Sequence, residues 1–468
     1  MGERTASVLA HKEKARPGGN RLRVDAKQRH HSIEWVLGVR QDSVMRLLNL
    51  LAAGLLVAIG LPDVQAVPPQ PATLKKAELE HRFLLQVNYQ QQSGRQDFRT
   101  SRSRIVIFQR AGAVLRMLDV SDPRDGSPTH VLATIPIRHE TGTTVEVDLN
   151  EGFDMVYSEE DRTGEDYYGR IDRHDQTTFR LFDRKVVSVS YHDAMLVFDQ
   201  DAHTDDGQRI VVHYYLSPYR PRPDFRAFEM KNLRRFGFYE TYPQWRSDRW
   251  VLYAMKFDVH EPIVFALSSA IPERYRSAVR DGVLYWNQAF GRSLVRVIDA
   301  PPGIRAPNPD YNVIQWVTSG AFASTSYIQS DQLTGQILHA HVFVLPETMS
   351  DGDLEQQNDH LRYIVAHEIG HALGLRHNYA LGNATTVMNY FKLPRILQIG
   401  RHIGAGAPTL PYDRAVVQHV YLGAPLDLDM LPPFCTDSQR VCFPFRSGPK
   451  ESDGMRGGAG ADDKIPEN

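Results

Sequence analysis

The run His367-Glu368-Ile369-Gly370-His371-Ala372-Leu373-Gly374-Leu375-Arg376-His377 constrains this chain more than any other segment. His367 and His371 are four apart, so on a helix both imidazoles leave one face and can share an ion. Two histidines leave a tetrahedral zinc short of ligands. On a continuous helix His377 would lie about 9 Å further along the axis, out of reach. Gly374 supplies the break, because glycine accepts the left-handed backbone that ends helices, and the chain can then turn back to present His377. Three neutral histidines leave one position for water, the arrangement of a catalytic zinc rather than a closed structural one. Glu368 lies beside His367 in sequence and is near the metal without having to ligate it. There it can take a proton from an attacking water and pass it to a leaving amine, which is amide hydrolysis without a covalent intermediate.

Composition narrows the setting. The chain has 468 residues, enough for two folded domains with tails. Its 54 basic and 56 acidic residues nearly balance, which argues against a nucleic-acid partner. Two cysteines are too few for a disulfide scaffold or a Cys-rich metal cluster, so a metal falls to His and carboxylates, and 19 histidines are present.

Residues 47–61, LLNLLAAGLLVAIGL, form the one strong apolar run. Arg46 precedes it and Val64-Gln65-Ala66 follows with small residues at the exit, so 45–66 reads as a signal peptide and the remainder as exported, periplasmic or extracellular. Left uncleaved, the same segment is a membrane anchor, the one route to a membrane here. Residues 1–44 carry nine Lys/Arg against five Asp/Glu and read as a disordered basic arm or a misplaced start ahead of Met45. In an exported setting Cys435 and Cys442 could pair and pin a short loop.

The exported chain divides by pattern. Residues 67–216 hold short alternating or β-branched runs (Phe83–Tyr89, Arg104–Phe108, Val114–Leu118, Thr144–Leu149, Val186–Tyr191, Ala194–Phe198, Arg209–Leu216) separated by Gly, Asp and Pro clusters, which predicts an antiparallel β-rich N-terminal domain. Residues 217–258, opening with PYRPRPD, read as an extended connector. From 259 to 434 strands alternate with helices: a strand at Ile263–Leu267, a helix from Pro272, strands at Tyr311–Val317 and Ile337–Leu345, and helices at His360–Leu375 and Asp413–Leu422. Residues 435–468 are a short Cys loop and a disordered tail. Asp351-Gly352-Asp353 lacks the remaining ligands of a calcium loop and reads as a solvated turn before the helix.

Thr386-Val387-Met388-Asn389-Tyr390 follows the histidines, and with it the chain resembles the metzincin zinc peptidases, which join the extended HExxHxxGxxH motif to a Met-turn. The resemblance implies Met388 as an apolar floor under the imidazoles, and Tyr390 as a residue that ligates zinc at rest or steadies the oxyanion. IVIFQRAG at 105–112, Ile271–Arg276, Trp286–Phe290, Tyr311–Val317, Ser326-Tyr327 and Leu375–Asn378 are similar to bacterial exported zinc-dependent metalloproteases with an uncharacterised β-rich N-terminal domain. Members of that group continue further beyond Phe434. The expected fold is therefore α+β: a β-rich antiparallel N-terminal domain followed by a metzincin-like α/β zinc peptidase domain.

Gln336–Leu345 alternates, with His339, His341 and Phe343 on one face and Ala340, Val342 and Val344 on the other. By period and by the resemblance this is the expected peptide-binding strand, with a second metal on His339 and His341 as the alternative. Both cysteines follow the active-site helix, so a thiolate from the N-terminal domain cannot cap the zinc. The expected activity is zinc endopeptidase action on protein or peptide substrates, by zinc-activated water with Glu368 as general base and acid. A zinc-containing binding protein with lost or residual catalysis is the alternative.

Overall fold

The structure, a computed structural model, describes residues 71–436 except 80, 92–97, 101–102, 122–129, 159–176, 193, 232–235, 242–243, 318–323, 347–350, 381–384, 430 and 432–433. The predicted signal segment 45–66, the arm before it, Cys442 and the tail lie outside the described residues. Cys435 is disulfide-bonded. Among the described residues no helix is long and apolar enough to cross a membrane.

Apart from two single-turn helices, Lys76–Leu79 and Leu149–Gly152, the N-terminal part described is built of strands: β1 (Ala72–Lys75), β2 (Phe83–Gln91), β3 (Phe98–Thr100), β4 (Arg104–Ala111), β5 (Val114–Asp119), β6 (His130–Glu140), β7 (Thr144–Val147), β8 (Met155–Ser158), β9 (Thr177–Arg180), β10 (Phe182–His192), β11 (Met195–His203) and β12 (Arg209–Pro218). Ten of these form one antiparallel sheet in the order β1-β7-β6-β5-β4-β2-β12-β11-β10, with β3 on β2, while β8 and β9 pair separately. Alternation is the cause. On β11, Leu196, Phe198, Gln200 and Ala202 are buried and their neighbours are not, so one face closes over a core in which Phe153, Phe198 and Tyr214 lie 4.4–4.9 Å apart. The two ends of the strand order meet: the Tyr191 hydroxyl of β10 donates to Thr73 O of β1 (2.9 Å) and accepts from Thr73 N–H (2.7 Å).

The span 217–258 is not a free connector. Met230, Phe236, Phe238, Ala254, Met255 and Phe257 are buried in the core of the C-terminal part. The span also contains a hairpin, β13 (Gln244–Arg246) and β14 (Arg249–Val251), and a strand, β15 (Lys256–Phe257). Its proline-rich opening ends in a turn, with Phe225 N–H donating to Arg222 O (3.1 Å), and the rest carries apolar side chains at spacings too irregular to register as a helix or strand.

The second sheet adds β16 (Ile263–Leu267), β17 (Val295–Asp299), β18 (Asn312–Trp316), β19 (Thr325–Ser330) and β20 (Gln336–Val344), in the order β15-β20-β18-β16-β17, all parallel. β19 runs antiparallel on β20. Four helices follow the same chain order: α1 (Glu273–Phe290), α2 (Leu354–Ala372), α3 (Leu393–Gly404) and α4 (Pro411–Leu422). α1 buries Tyr275, Val279, Val283, Trp286 and Phe290 at the predicted helical spacing. Trp286, fully buried, donates its indole N–H to Ala366 O of α2 (2.9 Å). With its antiparallel β-sheet and its C-terminal helices, the chain is of mixed α+β class. The two parts touch through polar groups: Gln329 Nε2 donates to Asn88 Oδ1 (2.8 Å), and the Tyr219 hydroxyl to Asp331 Oδ2 (3.0 Å).

The predicted substrate strand is corrected. β20 is paired on both sides, by β18 and by β19, so its backbone is not open to a peptide. Its alternation is as expected: Ala340, Val342 and Val344 face the main core, while Phe343 packs in a smaller cluster with Val313 and Ala306. His341, on the Phe343 face, is fully buried, and its Nε2 accepts the Asn308 N–H (3.3 Å). Among the described residues His339 and His341 have no third ligand near them.

Burial, with His339 beside it as the second cause, pushes His341 down to about 3. The folded chain thus refuses a proton that the unfolded chain accepts near pH 6.5. His341 therefore costs no stability above that pH and an increasing amount as pH falls toward its folded value. Urea unfolding of the parent and of His341→Gln should diverge by about 1.4 kcal/mol per pH unit below about pH 6.5. Parallel pH profiles would refute the buried neutral ring.

Candidate metal centre

α2 begins six residues before the predicted start because Asp353 caps it, its side chain accepting Gln356 N–H (2.9 Å). From Asp359 to Ala372 nearly every residue is buried. The helix is packed between α1, α3 and the sheet, and its last turns hold His367, Glu368 and His371. It stops at Ala372, three residues short of the predicted Leu375 and just ahead of the predicted break at Gly374. Gly374 has φ +96°, and a Cβ there would sit 2.1 Å from Met255 O, so the position needs glycine for its backbone angle and for that close approach.

The turn brings the three predicted ligands together. The Nε2 atoms of His367, His371 and His377 lie 3.1–3.2 Å apart. His367 Nδ1 donates to Val387 O (2.7 Å) and His371 Nδ1 to Leu375 O (2.8 Å), so both Nε2 atoms carry lone pairs rather than protons. Lone pairs converging in a buried site repel one another unless a cation lies between them. Nitrogens about 2.0 Å from one tetrahedral zinc stand about 3.3 Å from each other, close to the observed spacing. The donor set fits zinc.

A family model described as Met-zincin matches residues 350–421. No curated protein matches the chain. The Met-zincin match implies zinc, which the three-His group is able to hold, and it points to a zinc metallopeptidase. It covers α2, α3 and most of α4 and leaves both sheets outside.

Within the Met-zincin segment, Thr386–Tyr390 is held from beneath by a residue that the sequence reading missed. Asp413, fully buried at the start of α4, accepts hydrogen bonds from Thr386 Oγ1, from Val387 N–H (2.9 Å) and from the Tyr285 hydroxyl (2.9 Å). Burial against those bonds pushes Asp413 up to about 7. The Val387 peptide so fixed is the one whose carbonyl receives His367 Nδ1. Nothing in the local sequence marks Asp413 out; its position two residues after Pro411 suggests only a helix start.

Met388 is fully buried, with its sulfur 2.2 Å from where a Cβ on Gly370 would stand. Tyr390 is 45% exposed, its ring 5.3 Å from that of His367 and 4.8 Å from that of His377. Tyr390 therefore sits at the open side of the triad and Met388 at the closed side. Glu368 is buried, which pushes its carboxyl up to about 8. His339 and His341 lie apart from this group. Asp413→Ala would leave three buried donors without an acceptor and should cost about 3–5 kcal/mol. Denaturant unfolding of the metal-free chain measures this, and a loss below about 1 kcal/mol would mean the donors find other partners.

Proposed function

We propose that the chain is an exported zinc endopeptidase of the metzincin type, with His367, His371 and His377 as ligands, Glu368 as proton shuttle and Tyr390 as oxyanion partner. The observation that carries this is the convergence of three Nε2 atoms, two with their tautomer set by backbone carbonyls, on a helix that also presents Glu368. Bound zinc supplies Lewis acidity, which polarises a scissile carbonyl and acidifies a water. Glu368 takes the proton of the attacking water and returns it to the leaving amine. The Tyr390 hydroxyl, at the exposed side of the triad, donates to the developing oxyanion. Met388 and the buried core behind it keep water from the closed side of the ligands.

The peptide lies extended along β19. Among the described residues this strand carries one ladder, to β20, which makes its other edge the place for strand addition. β3 of the N-terminal sheet lies against β19, so that sheet neighbours the peptide edge. Export rests on the apolar run 47–61 with its basic start and small-residue exit.

The test compares casein cleavage by the chain and by Glu368→Ala, with zinc assayed in both. Each should hold one zinc, and the variant should lose cleavage by about a hundredfold or more. Equal cleavage removes the shuttle role. If both hold zinc and neither cleaves, a zinc-containing binding protein becomes the better reading. Tyr390→Phe should lower kcat by about ten- to a hundredfold with zinc content unchanged. An unaltered kcat would leave Tyr390 as a wall of the cleft only.

A further inference from the structure

Arg376, immediately before His377, is a buried cation that the proposed chemistry does not use. It is 4% exposed. Its Nε–H donates to Phe238 O (3.0 Å), its Nη2 to Glu240 Oε1 (2.6 Å), and its guanidinium lies 5.8 Å from the centre of the Tyr239 ring. Glu240, 136 residues upstream of Arg376, is 6% exposed. The backbone repeats the connection. Tyr239 N–H donates to Gly374 O (2.7 Å), Arg376 N–H to Gly237 O (3.2 Å), and Phe238 bridges Leu375. On its far side the same segment is secured by Met255 N–H donating to Tyr239 O (2.7 Å) and by a bridge from Glu240 to Ala254. The Tyr239 hydroxyl stands 3.3 Å from His371 Nδ1.

Gly374 and Arg376, on either side of Leu375, are thus each bonded to the 237–240 segment, which sets the path by which the chain returns to His377. After a left-handed glycine a loop has several routes. The route observed brings His377 Nε2 within 3.1–3.2 Å of the other two. An ion ligand out of place by an ångström binds poorly, and groups outside the ligand set govern that placement. Arginine suits the task because its planar fork meets a carbonyl and a carboxylate in one fixed geometry, which the freely rotating ammonium of lysine does not impose.

We propose that Glu240 and Arg376 are a positioning pair for the third zinc ligand, so that zinc affinity is set in part by the segment preceding the second sheet. This rests on the reading of the triad as a zinc site. The test measures the zinc dissociation constant by chelator competition for the full chain, for Glu240→Gln, for Arg376→Lys and for the double variant. The unfolding temperature of each metal-free chain and the absorption spectrum of each cobalt-loaded chain are recorded alongside. Each single variant should bind zinc about ten- to a hundredfold more weakly, with a shifted cobalt spectrum. The double variant should be no worse than the weaker single, as expected of partners that act as one unit. A pair that served only the fold would lower the unfolding temperature and leave zinc affinity within about twofold of the parent, which overturns the proposal. Loss of the fold in both single variants overturns it too, since the pair then holds the domain rather than the ligand. A parent chain that takes up no zinc overturns the zinc-site reading first and the proposal with it, a result separable from the others by the parent alone.

Discussion

The hydrogen bond from His367 Nδ1 to the Val387 carbonyl is the contact on which the rest of the centre depends. It fixes which nitrogen of the ring is bare, and it ties the helix bearing the ligands to the turn bearing Met388. The bonds then close on themselves. Val387 N–H reaches Asp413 of α4, Asp413 holds the Tyr285 hydroxyl of α1, and Trp286 beside it donates to Ala366, the residue before His367. A ring of bonds that starts and ends on adjacent residues of α2 leaves the first ligand little freedom. Each link is buried, where a lost partner is not replaced by water and therefore costs most.

The core of the site was legible from residues 367–377 because the information there is local. Ligand spacing, helix period and a glycine at the break are all properties of one short segment. What the sequence did not disclose depends on residues distant along the chain. Alternation along 336–344 identified which side chains share a face, and it was right, yet a period says nothing about whether a strand's backbone is already paired. β19, reading TSYIQS, has too few apolar residues to stand out, although among the described residues it is a strand paired on one side only. α3 was missed because LPRILQIGRHIG contains two glycines, although Pro394 in its first turn and the helical spacing of Ile396, Ile399 and Ile403 mark it. Asp413 and Glu240 look like ordinary surface carboxylates until the structure buries them.

The two parts of the molecule are built differently where they meet. Each encloses its own apolar core, while the contacts between them are carried by amide, phenol and carboxylate groups such as Gln329 with Asn88 and Tyr219 with Asp331. Polar junctions of this kind resemble those of partners that can separate more than those of one continuous core. The N-terminal sheet is thus a neighbour of the candidate cleft without being part of its hydrophobic foundation.

The bracing of the Gly374 turn by residues 237–240 bears on the order of assembly. His367 and His371 come together as soon as α2 forms, but the groups that place His377 and hold the cluster come from far apart: Phe238 and Glu240 before the second sheet, Asp413 in the last helix, and Cys435 beyond it, whose N–H donates to Asn378 Oδ1 (3.1 Å). Contacts of such long sequence separation form late, because each requires a large loop to close first. A nascent chain therefore exposes the ligand motif well before it possesses the contacts that hold those ligands in place, and the histidine cluster takes its final geometry only when the ends of the second part have met.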